Sequence, residues 1–145
     1  MKIKWLFLLF SLLLLPWEVV AQAKTPTYSP ELHYTDVDGI SQVYTNEVKD
    51  WKPISPASSA KVVVRDEYGK EVSVWKITFS YRTAGLVGRT FDYTALGGTL
   101  SPEMVQCLAH GVLPRIVSIY PTIIEGEEKK NVPPLSMDIK ADGQR

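Results

Sequence analysis

Cys107 and His110 stand three residues apart in a stretch with helical spacing. A thiol and an imidazole at i and i+3 can come within reach of each other, and a base beside a thiol is the minimum for a cysteine nucleophile. That chemistry also needs a group to orient the base and donors for an oxyanion, which two positions on one short helix do not supply. The neighbours Val105, Leu108 and Ala109 point instead to a buried thiol packed as a small hydrophobe. A cationic imidazole at a helix C-terminus has its own explanation, because it complements the carbonyl dipoles there. Cys107 is the only cysteine, so no intramolecular disulfide can form and stability must come from packing.

Other patterns are weaker. The two histidines, His33 and His110, and the single cysteine lack the C-x-x-C or H-x-x-x-H spacing of a zinc site. Asp36-Val37-Asp38-Gly39 matches the start of a calcium loop, but although Glu47 stands at the closing distance, Ile40 occupies the third ligand position and Ser41 the place of the required glycine, so an Asx-type turn is expected. Glu125, Glu127 and Glu128 run directly into Lys129 and Lys130, which describes a solvated loop of mixed charge. Gly85, Gly88 and the pair Gly97-Gly98 are not followed by the Lys-Ser/Thr of a phosphate loop and read as turns. Paired carboxylates of the glycosidase kind are spatial rather than sequential, and nothing here points to them. The sequence therefore assigns no catalytic, cofactor-binding or metal-ligating residue, and the chain reads as a non-enzyme without a cofactor. Tyr28, Tyr34, Tyr44 and Trp51 keep one alternative open, a small secreted carbohydrate-binding module or hydrolase with a stacking platform. The competing account is that these rings staple their segment to the rest of the fold.

The clearest signal is an address. Lys2 and Lys4, an apolar run over 6–15, Pro16 and Ala21-Gln22-Ala23 form a basic region, a hydrophobic region and a small-residue cleavage site. Together they predict a secretory signal peptide over 1–23 and a periplasmic or secreted product. The run is shorter than the roughly 20 residues a membrane span needs, so no stable span is expected after cleavage. Lys2, Lys4 and Glu18 leave with the leader, so sixteen basic and sixteen acidic residues become fourteen and fifteen. A balance so near neutral leaves no electrostatic footprint for nucleic acid.

Residues 24–59 carry Pro26, Pro30, Pro53 and Pro56 and read as a proline-rich extended arm with one edge strand over 42–48, since proline removes ladder donors. Residues 60–140 read as a mainly β, immunoglobulin-like β-sandwich domain with one short helix over about 102–110, followed by a frayed tail at 141–145. Strand 61–65, a turn at 66–69 and a longer strand 71–82 form a hairpin. In the longer strand Val72 and Val74 share one parity and Trp75, Ile77, Phe79 and Tyr81 the other. Either a bulge near Val74 resets the phase or both faces are covered. Residues 89–95 alternate as a half-buried strand. Ser101-Pro102-Glu103 is a helix start, with Gly111 as its stop. A strand over 115–125 contains Pro121, which implies an edge or a bulge, and Leu135, Met137 and Ile139 alternate in a closing strand.

Four pieces carry a resemblance: Trp75-Lys76-Ile77-Thr78-Phe79-Ser80-Tyr81, Leu100-Ser101-Pro102-Glu103-Met104, the passage 111–120, and Val132-Pro133-Pro134-Leu135-Ser136-Met137-Asp138-Ile139-Lys140. In this order and spacing, over about 72–140, the chain resembles the C-terminal periplasmic domain of the gliding-motility and type IX secretion protein family GldM. The loop 125–131 departs from that family in lacking a Pro-Asp-Gly-like turn. The resemblance implies a cell-envelope origin in a Bacteroidetes-like bacterium and a surface that contacts other envelope proteins. The expectation is an exported, non-enzymatic protein-interaction module, with strand addition at a sheet edge as its means.

Overall fold

The computed structural model describes residues 26–48, 51–54, 58–83, 89–109 and 113–141. The expected leader at 1–23, Gly85, Gly88, His110, Gly111 and tail residues 142–145 lie outside the described residues. Among the described residues the chain is mainly β, with two antiparallel sheets and one short helix in a sandwich-like arrangement. The described residues form nine strands in order: β1 Ser29–Thr35, β2 Ser41–Tyr44, β3 Ala60–Arg65, β4 Glu71–Val72, β5 Val74–Thr83, β6 Thr90–Leu96, β7 Arg115–Glu125, β8 Glu128–Asn131 and β9 Leu135–Ile139. The helix α1, Pro102–Cys107, lies between β6 and β7 in the chain. The first sheet runs β2-β1-β3-β4. The second runs β6-β5-β7-β8, with β9 also against β7.

One core joins the sheets. Leu32, Tyr34, Tyr44, Val62 and Val64 come from the first, Ile77, Phe79, Val117, Ile119, Leu135, Met137 and Ile139 from the second, and Met104, Val105 and Leu108 from the helix region. Residues 29–44 are therefore structural rather than an extended arm: the edge strand expected over 42–48 is β2, and β1, which was not expected, is central in its sheet. The prolines misdirect because a missing N–H matters only where a neighbouring strand would accept from it. In β1 the even positions turn their backbone groups away from β3, since Thr35 N–H donates to Ser59 on the β3 side at 3.3 Å. Pro30 thus faces the β2 side, where β2 has already ended opposite Leu32.

Pro121 uses the same device in a strand that is central rather than at an edge. The far side of β7 is shared by β9, paired up to Ile119, and β8, paired from Thr122. Pro121 falls in the gap between them, and its carbonyl accepts from Val132 N–H at 3.0 Å. The charged loop expected at 125–131 is itself a hairpin, because Gly126 turns the chain at φ +61° and lets β8 pair with β7. Charged side chains disguise β8, whose pairing rests on backbone bonds.

The parity conflict in the long strand resolves as a bulge. β4 pairs with β3 in the first sheet, the chain crosses at Ser73, and β5 pairs in the second with a register shift between Val74 and Lys76. Trp75 is the extra residue, which lets Val72 and Ile77 both serve the core. Helix α1 starts as expected, with Met104 N–H donating to Ser101 Oγ at 3.4 Å and Pro102 in the first turn. It is shorter than 102–110, because Leu108 caps it by donating back to Val105 and Gln106.

The two glycines after β6 do separate jobs. Gly97 adopts φ +77°, and Gly98 passes so close to β3 that a Cβ there would lie 2.5 Å from the Val62 carbonyl oxygen. Gly98 accepts from Val62 N–H at 2.7 Å and Leu100 donates to Ala60 at 3.0 Å, so this crossing segment completes the edge of β3. They are structural turns, as expected.

Candidate functional site

Cys107 and Asp36, both weighed for chemistry, have structural occupations. Cys107 is buried, and burial pushes its thiol pKa up, with Arg115 opposing only in part. The thiol packs as a small hydrophobe. Asp36 forms the expected Asx turn, its Oδ1 accepting from Asp38 N–H at 3.0 Å and Ile40 N–H at 2.9 Å. These backbone donors, that of Ile40 foremost, hold the carboxyl below its ordinary range. Asp66 repeats the arrangement in the β3–β4 turn, accepting from Tyr68 and Lys70 at 2.9 Å each, with Gly69 at φ +79°. Among the described residues no three His, Cys, Asp or Glu side chains converge as metal ligands.

The four aromatic residues do not form a platform. Tyr34 and Tyr44 are core residues, and Trp51 packs on both, with ring centroids at 4.4 and 5.5 Å. Trp51 Nε1 donates to Leu108 O at 2.9 Å, Tyr44 Oη to Ser136 O at 2.6 Å and Tyr28 Oη to Glu125 Oε1 at 2.6 Å. Each of these three polar tips bonds to the second sheet, the β7–β8 hairpin or the helix end. The rings staple the N-terminal strands in place.

A second aromatic group carries no such duty. In the register of β5 with β6, Phe79 faces Tyr93 and Tyr81 faces Phe91. Phe79 is fully buried, so Tyr81, Phe91 and Tyr93 share its side of the sheet. Toward this end the core thins out: Phe91 is 40% exposed and Tyr81 and Tyr93 are half-buried. Tyr81 stacks on Phe91 at 4.9 Å and 15° and lies nearly parallel to Tyr93 at 6.1 Å and 10°. The ladder stiffens one end of β6.

Among the described residues β6 is also the long uncovered edge of the second sheet. Among the described residues it pairs with β5 alone. Gly97 N–H donates to Trp75 O at 2.7 Å, so by alternation Phe91, Tyr93 and Ala95 aim their backbone groups at β5. Thr90, Asp92, Thr94 and Leu96 then aim theirs outward. Native edges are usually blunted by proline, lysine or a covering segment. β6 has neither residue type, and Leu96 is 77% exposed. By contrast the β9 edge is closed, since Asn46 Oδ1 accepts from Ser136 N–H at 2.9 Å and Tyr44 Oη donates to its carbonyl. Sequence reasoning looked for an open edge near Pro121 and in the N-terminal arm and missed β6. The alternation of Phe91 and Tyr93 was visible, but which strand lacks a neighbour is a property of pairing.

Among the described residues no helix is long and apolar enough to cross a membrane. Comparison of the chain with protein-family models, with curated proteins and with solved structures yields no match.

Proposed function

We propose that this chain is an exported, non-enzymatic protein-interaction module of a bacterial cell envelope, acting by strand addition at β6. The observation that carries the proposal is the edge itself: four outward backbone positions on a seven-residue strand with no proline or lysine and, among the described residues, no covering strand. A partner strand gains main-chain hydrogen bonds there, and side-chain contacts along Phe91 and Tyr93 select it. The sequence signal at 1–23 supports export, and the resemblance over 72–140 supports an immunoglobulin-like, GldM-type envelope module. The sandwich-like pair of sheets accords with that resemblance.

The test is photo-crosslinking in the native host from a probe at Thr94, against a control probe at His33 on the first sheet. The proposal expects a specific envelope partner from Thr94 only, lost when Asp92→Pro, at the neighbouring outward position, is added. Proline is tolerated where a strand's N–H faces an open edge. Recovery of no specific partner, or the same partners from both probes, would refute it. Mass spectrometry of the exported protein should place the mature N-terminus after Ala23; an intact Met1 would refute that part.

A further inference from the structure

We infer that the segment received at β6 runs antiparallel to it, is apolar on the core side and carries one carboxylate at its C-terminal end. The inference rests on the strand-addition reading and adds the chemistry of the partner. Two exposed guanidinium groups mark one end of the edge: Arg89 directly precedes β6, and Arg82 is the register partner of Thr90, the first residue of β6. Neither makes an ion pair among the described residues. A strand antiparallel to β6 finishes beside Arg89, which puts its C-terminus within this positive field. An exposed guanidinium beside that terminus suits a carboxylate through charge-assisted hydrogen bonds.

The rest of the strand limits the ligand further. Asp92 is the only charged residue of β6 and repels a second carboxylate set two residues inward. The fitting partner thus has a single acidic terminus rather than an acidic run. On the core side its alternate residues lie along Phe91 and Tyr93, where aliphatic or aromatic groups extend the ladder formed with Tyr81. A free chain terminus and a terminal acidic side chain offer the same carboxylate chemistry.

The experiment uses fluorescein-labelled peptides of alternating valine and threonine, as long as β6, titrated by anisotropy against the purified chain. Four endings are compared: free carboxylate, glutamate amide, glutamine amide and lysine amide. The inference expects one or both carboxylate peptides to bind about tenfold tighter than the lysine peptide. The tighter of the two identifies the source of the carboxylate. The Arg82→Glu/Arg89→Glu variant should reverse the preference, and added salt should shrink it. Equal affinity for all four endings, with binding lost on backbone N-methylation of the peptide, would overturn the carboxylate inference and leave strand addition standing. No binding by any peptide, or binding indifferent to N-methylation, would remove both. The N-methylated probe alters no residue of the protein, so the result does not depend on a variant that folds.

Discussion

Adding one carbon at residue 98 should damage this fold more than its exposed, loop-like sequence suggests. The Cβ of Gly98→Ala would sit 2.5 Å from the Val62 carbonyl oxygen and 3.6 Å from Val74 Cβ, so the crossing segment must retreat by about 1 Å to reach ordinary contact at 3.4 Å. That retreat breaks or weakens two backbone bonds, Val62 N–H to Gly98 at 2.7 Å and Leu100 N–H to Ala60 at 3.0 Å. Each bond is worth about 1 kcal/mol net, and forced overpacking adds about 1–3 kcal/mol. Reduced freedom of the unfolded chain returns up to about 1 kcal/mol. The expected loss is about 2–4 kcal/mol, or a fall in Tm of roughly 10 °C at this chain length. Urea denaturation followed by circular dichroism measures it. Gly97 is the internal control, because its φ of +77° strains a side chain while nothing lies within 4 Å of its Cβ. Gly97→Asn should be nearly neutral and Gly97→Ala should cost about 1–2 kcal/mol. Gly98→Asn should be at least as damaging as Gly98→Ala. A Gly98→Ala variant within about 0.5 kcal/mol of wild type, or no worse than Gly97→Ala, would refute the close-approach argument.

Trp51→Ala should cost about 2–4 kcal/mol, since it strips the ring from Tyr34 and Tyr44 and leaves Leu108 O without its donor; an unchanged urea midpoint would mean that the N-terminal strands are held some other way. Native Cys107 should resist thiol reagents at neutral pH and react at the rate of unfolding, and fast stoichiometric labelling of the folded chain would contradict its burial. Burial raises the Glu31 carboxyl, but hydrogen bonds from His33 and Arg65 outweigh it and hold the pKa below the ordinary 4.5. Its stabilising contribution is therefore complete above about pH 4.5 and disappears as pH falls through the lowered value. Wild type and Glu31→Gln should differ in urea midpoint at pH 6 and converge on acidification, and a pH-independent gap would show that the carboxylate charge is not responsible.

Much of the local structure was legible. Ser101-Pro102-Glu103 announced the helix, Asp36 and Gly39 announced their turn, and the split parity around Val74 announced a bulge. These depend on groups a few residues apart, where capping and φ preferences act. Of the N-terminal strands, the edge strand β2 was legible in 42–48 but β1 was not, because Pro30 argues against a strand unless it is known that β2 ends opposite Leu32. Pro121 deceived in the same way, its nitrogen falling between β8 and β9. β8 was hidden because a short strand held by pairing and a glycine turn needs no hydrophobic signature.

The sequence by itself determined the absence of any disulfide within the chain, the alternation that makes it mainly β and the chemistry of each turn. Those follow from residue identity and spacing alone. Tertiary structure decided which aromatic rings are used up as staples and which strand edge stays open. A side chain's exposure and a backbone donor's partner depend on strands distant in sequence. Tyr34 and Phe91 look alike in the sequence, yet one closes the core and the other borders the only edge for which we propose a partner.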